Sequence, residues 1–378
     1  MVIAIPKEAN PEETRVAAVP QSIEKLVSLG GEVVVESGAG SASLFDDAEY
    51  EKAGARIEKD RDALLGAAEV VLRVEKPPRA EVRRLRSGCV HVSHLNPFAE
   101  KELVLELAER GVRTISMEML PRTTRAQKMD ALSSQASLAG YVAVLLAAAR
   151  IPQVFPMMVT PAGTVQPARV FVIGAGVAGL QAIATAKRLG AVVEAFDTRA
   201  AVEEQVRSLG ARFVKVSLGV AGEAAGGYAR ELGAEQLQAQ RAAMARHCAG
   251  ADVVITTAQV FGRKAPLLVT REMVSSMKRS SVVVDMAVES GGNVEGSEAG
   301  KERVVDGVTI IGYPSLARRV PAHASRMYAS NLASLIAEYW VRERKTLELR
   351  AADDILSGCL ITDGGAVVNR AIKEHYGI

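Results

Sequence analysis

The sequence is poor in aromatic residues and carries little net charge. Aromatic side chains make up 4% of its 378 residues, which disfavours a surface that stacks nucleic-acid bases. The formal net charge is only +2, so the chain offers no strong field for nucleic acid or for an anionic membrane. We therefore expect no nucleic-acid partner.

Cysteine and histidine are also scarce, and their spacing gives no metal-site pattern. The three cysteines, Cys89, Cys248 and Cys359, are far apart and signal neither a disulfide framework nor a zinc site. His91 and His94 alternate along one predicted strand, but no third ligand candidate lies nearby in the sequence. We predict that the protein binds no metal.

The sequence shows no segment that predicts export or membrane insertion. It begins with a predicted strand at residues 2–5, and not with a basic segment followed by an apolar core. Its most apolar run, at residues 139–149, is too short to span a bilayer. We expect a cytoplasmic protein with no direct membrane insertion.

The most informative segment leads from a strand through a glycine turn into a helix. Residues 169–173 form a largely β-branched and aromatic run, as in a buried strand. Gly174, Gly176 and Gly179 follow in the G-x-G-x-x-G spacing. The first glycine permits a tight turn, the second a close approach of backbone to a pyrophosphate, and the third close helix–strand packing.

A helix and a second strand complete this dinucleotide-binding pattern. Val177 and Ala178 open the helix, whose free N–H groups would face the phosphates. The second strand, at residues 192–196, is followed directly by Asp197. An acidic residue there accepts from a ribose 2′-hydroxyl and repels a 2′-phosphate, so the sequence favours NAD(H) over NADP(H). Arg199 is either a cation for a 2′-phosphate or a solvated surface charge.

The rest of the chain also alternates strands with helices. This predicts an α/β fold with two Rossmann-like, doubly wound parallel-sheet domains joined by long helices. One long helix is expected at about residues 135–150, after the N-cap candidates Ser133 and Ser134. Another, at about residues 324–344, crosses back to the first domain.

The returning helix makes the first domain discontinuous. We predict an N-terminal Rossmann-like domain at residues 1–125 and 325–378, and an NAD(H)-binding domain at residues 126–324. Asp285 ends a predicted strand of this second domain. Because ligands of open α/β sheets bind at the carboxyl ends of strands, Asp285 is a further cofactor-binding candidate. The alternative is a Gly-Gly turn with solvated carboxylates.

Three stretches together resemble the alanine dehydrogenase/transhydrogenase superfamily. They are Pro6-Lys7-Glu8 with Arg15-Val16-Ala17, the segment RAQKMDALSSQ at residues 125–135, and IGAGVAGLQAIATA at residues 173–186. Within the superfamily, the chain is similar to the NAD(H)-binding component, domain I, of the proton-translocating nicotinamide nucleotide transhydrogenases. The segment at residues 125–135 is the most specific of the three.

The resemblance implies a reaction and its partners. In that family, domain I binds NADH and passes a hydride to NADP⁺ held by a different component. A membrane-spanning component couples this transfer to proton movement. The resemblance also implies a homodimer that associates peripherally with the inner membrane through the membrane component.

The resemblance further assigns roles to polar residues. Arg122, Asp130 and Ser133 would orient the nicotinamide ring and its carboxamide, and Gln127 would reach toward the nucleotide on the partner. Tyr228 would belong to a glycine-rich loop that closes over the bound nucleotide. A charged linker between domains is the alternative interpretation of the first four.

Alanine dehydrogenase, complete in one chain, is the main alternative function. That family places a lysine where this sequence has Glu75 and a histidine where it has Asn96. Lys76 and His94 are close by, and the carboxylate-binding Arg15 is present. More remote alternatives are a saccharopine-type enzyme and a non-catalytic NAD-binding module.

Overall fold

The chain folds into two compact units. The computed structural model describes residues 1–215, 233–259 and 262–378. Unit 1 comprises Met1–Gln135 and Arg318–Ile378, and unit 2 comprises Ala136–Ala317. The units divide after Gln135 and after Ala317, whereas we predicted divisions after residues 125 and 324. The whole polar segment from Arg122 to Ser133 therefore belongs to unit 1.

Strands and helices alternate through most of the described chain. The strands up to residue 135 are β1 (Val2–Ile5), β2 (Glu32–Glu36), β3 (Arg56–Glu58), β4 (Val70–Glu75), β5 (Val90–His94) and β6 (Arg113–Ser116). The helices up to residue 148 are α1 (Pro20–Ser28), α2 (Asp47–Lys52), α3 (Arg61–Ala67), α4 (Arg79–Val82), α5 (Lys101–Glu109) and α6 (Ala131–Ala148).

Unit 2 continues this alternation. Its strands are β7 (Met158–Thr160), β8 (Gly163–Val165), β9 (Arg169–Ile173), β10 (Val192–Phe196), β11 (Arg212–Phe213), β12 (Val253–Thr256), β13 (Val282–Asp285), β14 (Lys301–Val305) and β15 (Val308–Gly312). Its further helices are α7 (Val177–Arg188), α8 (Glu203–Ser208), α9 (Ala234–Gly250) and α10 (Arg271–Ser275).

The C-terminal segment returns to unit 1. It contains α11 (Pro321–Tyr339), β16 (Trp340–Val341), β17 (Thr346–Leu347), α12 (Leu356–Cys359), β18 (Leu360–Asp363), β19 (Ala366–Val367) and α13 (Arg370–Tyr376). The helix predicted to reach residue 344 ends at Tyr339, because the chain then forms the antiparallel pair β16–β17. β18 pairs antiparallel with β6, which adds the tail to the sheet of unit 1.

The sheet of unit 1 has the strand order of a doubly wound Rossmann fold. The order is β19-β18-β6-β5-β4-β1-β2-β3, and the strands from β6 to β3 are parallel. Helices cover both faces. Apolar residues of α1 and α11 pack on one face, and those of α3, α5 and α13 pack on the other. The strand order reverses between β1 and β4, where a crevice is expected in such sheets.

The sheet of unit 2 repeats the same order around the glycine turn. Its strands run β11-β10-β9-β12-β13-β15-β14, all parallel except the edge strand β14. The strand order reverses between β9 and β12. β9 and β10 have the bounds predicted from the sequence, because each is a largely apolar run of strand length that ends at a turn residue. The glycine turn therefore begins at the topological switch point.

Helix α6 begins earlier than predicted. Asp130, and not Ser133 or Ser134, is its N-cap, and it accepts a 2.9 Å hydrogen bond from the Ser133 N–H. The helix therefore has 18 residues and a mean hydropathy of 1.5, so that it is long and apolar enough to cross a membrane. In this structure 39% of it is buried. A Cβ on Gly140 would lie 2.1 Å from the Ala178 carbonyl oxygen, so this helix packs closely on α7.

Candidate functional site

The turn after β9 has a backbone geometry that requires glycine. Gly174 has a φ of +97°, which lies in the region that L side chains rarely adopt. Its N–H donates to the Phe196 carbonyl at 2.8 Å, and its carbonyl accepts from the Thr257 hydroxyl at 3.0 Å. These contacts fix the turn to the ends of β10 and β12.

The other two glycines have opposite surroundings. A Cβ on Gly179 would lie 1.8 Å from the Gly174 carbonyl oxygen, so only glycine lets α7 start this close to β9. Gly176 borders open space, and the nearest atom to its Cβ position is Arg199 Nη2 at 3.9 Å. Gly176 is the N-cap of α7, and no described side chain caps that helix. The first-turn N–H groups are therefore open to a phosphate.

Val177 and Ala178, the first two residues of α7, also fit the binding of a phosphate. Val177 is exposed and Ala178 is half-buried at the start of α7. A phosphate at this end would meet backbone N–H groups and the positive end of the helix dipole. The residues present therefore fit a dinucleotide pyrophosphate.

Asp197 lies beside the glycine turn, as the spacing predicts. Its side chain is buried, and Oδ2 accepts from the Ala175 N–H at 2.7 Å. Arg199 donates two side-chain hydrogen bonds to the same carboxylate, from Nε at 2.9 Å and from Nη2 at 2.8 Å. Arg199 is therefore not a solvated surface charge, since its side chain is only 14% exposed.

Asp285 has a different environment from the one that the sequence suggested. It is 0% exposed, and its carboxylate accepts backbone N–H groups of Ala287, Asn293 and Val294. The Thr256 hydroxyl donates to it at 3.3 Å. The carboxylate therefore holds the loop after β13 through hydrogen bonds within that loop.

Two residues that were not predicted from the sequence, Thr257 and Asn293, hold the loops around the switch point. Thr257 bonds the glycine turn through its hydroxyl. Asn293 accepts from the Ala258 N–H at 3.1 Å and donates to the carbonyls of Ala258 and Pro266, each at 2.8 Å. Only its position at the end of a predicted strand could have identified Thr257 from the sequence. No sequence pattern distinguished Asn293.

In unit 1, the polar segment brings Asp130 and Ser133 into contact. Asp130 accepts from both the N–H and the hydroxyl of Ser133, at 2.9 and 2.5 Å. Both are half-buried at the start of α6, while Arg122 and Gln127 are exposed. Two of the four predicted residues therefore form one hydrogen-bonded pair, and the structure places the other two at the surface of unit 1.

The backbone of this segment is anchored to α11. Asn331 donates to the Lys128 carbonyl at 3.0 Å and accepts from the Ser134 hydroxyl at 2.8 Å. Arg125 and Lys128 both pair with Glu338, at 2.8 and 2.7 Å. Gln127 begins a single 3₁₀ turn whose last residue, Met129, is buried. Contacts with α11 thus hold the loop in place, while the side chains of Arg122 and Gln127 remain exposed.

Tyr228, predicted to lie in a closing loop, falls outside the described residues. The same holds for the whole of the glycine-rich segment at 217–230.

The residues that the alternative function requires lie in unit 1 in other pairings. Arg15 is buried and bound by Glu13 through Nε at 2.8 Å and Nη2 at 2.7 Å. Burial alone would raise the pKa of Glu13, but the Arg15 guanidinium holds this pKa below its ordinary value. Burial and the nearby Glu13 carboxylate raise the pKa of Glu75. Lys76 pairs with Glu100.

The histidines of β5 also have internal environments. His94 stacks on Tyr328 at 5.2 Å and lies 3.7 Å from a Glu118 oxygen. His91 is buried, and neither of its ring nitrogens has a partner among the described residues. Burial lowers the pKa of His91 to about 3, so the ring is neutral. No cluster of three potential metal ligands occurs in the described part of the chain.

Two family profiles match almost the whole chain. The alanine dehydrogenase/PNT N-terminal domain matches residues 4–139, and the alanine dehydrogenase/PNT C-terminal domain matches residues 143–370. The boundary between the two profiles falls within α6.

Individual relatives separate the two functions that the sequence left open. The chain is 47% identical over 380 residues to a Rhodospirillum rubrum protein, the first part of the NAD(P) transhydrogenase subunit alpha, covering 98% of this chain and 99% of that one. It is 31% identical to the alanine dehydrogenase of Halomonas elongata, covering 100% and 97%. A solved transhydrogenase structure from Sinorhizobium meliloti matches with a TM-score of 0.85 at 47% identity, covering 98% and 100%. The similarity favours a transhydrogenase over an alanine dehydrogenase.

Proposed function

Because the chain belongs to the alanine dehydrogenase/PNT family, we propose that it is the NAD(H)-binding subunit of a proton-translocating NAD(P) transhydrogenase. The observation that carries the proposal is the full-length 47% identity to the first part of a transhydrogenase subunit alpha. The replacement of two alanine dehydrogenase positions by Glu75 and Asn96 points in the same direction.

Unit 2 provides the nucleotide site of this proposal. The open backbone at Gly176 and the uncapped start of α7 receive the pyrophosphate. Val177 and Ala178 contribute the first N–H groups of the helix. Asp197, which accepts from the Ala175 N–H in the turn, binds the ribose in this proposal.

The polar segment of unit 1 provides the groups that orient the nicotinamide. Bound NADH supplies the hydride, so the protein needs no general base for the transfer itself. Asp130, fixed by Ser133, offers a carboxylate for the carboxamide, and Arg122 offers a cation. The Gln127 side chain is exposed, which suits contact with a partner. These side chains act by holding the ring in position and by excluding water.

The name of the Rhodospirillum rubrum relative, a part of a subunit alpha, supports a complex of several components. We propose that one partner component binds NADP(H) and accepts the hydride, and that another spans the membrane and couples the transfer to proton movement. This subunit would then act in the cytoplasm, attached peripherally to the inner membrane through the membrane component. It would be active only in the presence of its partners.

An exposed apolar surface in unit 2 supports a homodimer. The β7–β8 hairpin carries Met158, Val159 and Val165, which are 45%, 73% and 48% exposed. Tyr141 and Leu145, four residues apart on α6, are 39% and 37% exposed. Three exposed apolar side chains on one two-stranded hairpin are typical of a protein interface. We propose that a second copy of the chain covers the hairpin.

The proposed function is tested by hydride transfer from NADH to an NADP⁺ analogue. The assay combines the purified chain with an NADP(H)-binding transhydrogenase component. We expect transfer only when both proteins are present. We expect Gln127→Asn to slow the transfer at least about tenfold, because it withdraws the amide by one methylene, while NADH binding stays nearly unchanged. Gln21→Asn, at an exposed amide of α1, is the matched control.

Two outcomes would contradict the proposal in different ways. No transfer with a component that works with another domain I would reject the transhydrogenase function, and oxidation of NADH with pyruvate and ammonium would then identify an alanine dehydrogenase. Loss of NADH binding in Gln127→Asn, with an unchanged rate at saturation, would remove Gln127 from the partner-facing role.

A further inference from the structure

The Asp197 carboxylate has no acceptor position left for a ribose. A carboxylate offers about four lone-pair positions for hydrogen bonds. In this structure Asp197 accepts four: from the Ala175 N–H at 2.7 Å, and from the Arg199 N–H, Nε and Nη2 at 2.8, 2.9 and 2.8 Å. Two of these bonds come from backbone groups, and two come from the Arg199 side chain.

The Arg199 guanidinium also lies at the phosphate side of the turn. Its Nη2 is the nearest atom to the Cβ position of Gly176, at 3.9 Å. The side chain therefore lies next to both Gly176 and the Asp197 carboxylate. It is held by a buried ion pair, since the two side chains are only 14% and 5% exposed.

We propose that Arg199 determines nucleotide specificity by competing with the ribose for Asp197. A ribose 2′-hydroxyl can bond Asp197 only after the guanidinium leaves, so NAD(H) binding includes the breaking of this ion pair. The displaced guanidinium then stands next to the 2′ position, where it attracts a 2′-phosphate. The inference rests on the proposed binding of NAD(H) in unit 2.

Removing the Arg199 side chain has a calculable effect on the contacts. Arg199→Ala keeps the backbone N–H bond and the Ala175 bond, so Asp197 stays in place with two free acceptor positions. NADH then meets an unoccupied carboxylate, while the 2′-phosphate of NADPH meets an unneutralised one. The preference for NADH over NADPH, expressed as a ratio of Kd values, should widen by about tenfold or more.

The experiment measures Kd for NADH and NADPH by nucleotide fluorescence on the purified full chain. Arg199→Lys keeps the positive charge without the planar two-point contact, so its ratio should lie between those of the wild type and Arg199→Ala. Asp197→Ala should move the ratio the other way, by about tenfold, because the repulsion of a 2′-phosphate is gone. Arg207→Ala is the matched control, since it breaks an exposed ion pair with Glu203 in the same unit.

The outcomes separate this inference from the proposed function. A ratio in Arg199→Ala equal to that in Arg207→Ala would overturn the inference, and so would an equal loss of both nucleotides. If the wild-type chain binds neither nucleotide, the proposed function itself fails and takes the inference with it. If Arg199→Ala does not fold, the ratios for Arg199→Lys and Asp197→Ala decide by their opposite directions.

Discussion

Asp130 has two separable roles at the start of α6. Its carboxylate caps the helix by accepting from the Ser133 N–H, and the same group is proposed to orient the nicotinamide. Capping needs only an acceptor oxygen, which an amide also provides. Orientation of a carboxamide by a charged group needs the carboxylate.

Two substitutions of Asp130 should separate these roles. Asp130→Ala should lower the free energy of unfolding by about 1 kcal/mol through loss of the N-cap, whereas Asp130→Asn should leave it nearly unchanged. Both variants should slow hydride transfer to the partner component. Denaturant unfolding and transfer rates measure the two effects. An Asn variant that transfers hydride at the wild-type rate would show that the charge is not needed.

Glu8 in unit 1 is a partly buried carboxyl group with a displaced pKa. Its oxygens accept from the backbone N–H groups of Val74 at 2.7 Å and Glu75 at 3.3 Å. Burial, partly offset by the Arg73 guanidinium, raises the pKa of Glu8 from 4.5 to about 7. The folded chain therefore holds this proton more tightly than the unfolded chain.

The displaced pKa predicts a pH-dependent stability. The contribution of Glu8 is fully present below pH 4.5 and is lost as the pH rises through about 7. The free energy of unfolding of the wild type, relative to Glu8→Gln, should fall by up to about 3 kcal/mol between pH ~5 and pH ~8. Urea unfolding at several pH values measures this difference, with Glu109→Gln as the control for loss of one carboxylate. A difference that does not change with pH would refute the assignment.

At the scale of elements, the β9–turn–α7 segment packs so closely that Gly174 and Gly179 cannot be replaced by residues with a side chain. Gly174 adopts a positive φ, and Gly179 lies against the Gly174 carbonyl. Thr257, at the end of β12, joins the same turn. The turn, the helix start and two strand ends are therefore one packed assembly.

Gly179→Ala should disrupt this assembly. A Cβ 1.8 Å from a backbone oxygen forces α7 away from β9, which should cost on the order of 3 kcal/mol of stability and abolish NADH binding. Gly250→Ala is the matched control, because its Cβ would meet no atom within 4 Å at the end of α9. Thermal unfolding and NADH titration measure both. Normal NADH binding by Gly179→Ala would contradict the packing argument.

At the scale of the whole molecule, the two units share one strand order but differ at its switch point. In unit 2 the turn after β9 leaves open backbone at Gly176. In unit 1 the Glu8 carboxyl group follows β1 and bonds the end of β4. The same topology thus presents an open backbone in one unit and an internal carboxyl group in the other.

The proposed homodimer should depend on the β7–β8 hairpin. Val159→Asp places a charge at a side chain that is 73% exposed, so the fold should persist. The dissociation constant of the dimer should rise at least about tenfold. Val304→Asp, on the edge strand β14 and 72% exposed, is the matched control and should leave the dimer intact. Sedimentation over a concentration series measures both. Equal behaviour of the two variants would remove the hairpin from the interface.

Much of the fold follows from the sequence because the signals are local. β9 and β10 are largely apolar runs that end at turn residues, and the glycine spacing identifies the turn between β9 and α7. The start of α6 was predicted wrongly because Asp130, Ser133 and Ser134 are all good N-cap types. Only the position of the Asp130 carboxylate at the Ser133 N–H decides among them.

The two aspartates show most clearly what the sequence determined and what the tertiary structure decided. Asp197 and Asp285 each stand at the end of a largely apolar strand, so the local sequence pattern predicts the same function for both. In the structure, Asp285 is enclosed by N–H groups of its own loop, while Asp197 lies at the glycine turn in a pair with Arg199. A carboxylate takes whichever donors the fold brings within hydrogen-bond distance, and that selection involves residues remote in sequence, as in the bond between Ala175 and Asp197.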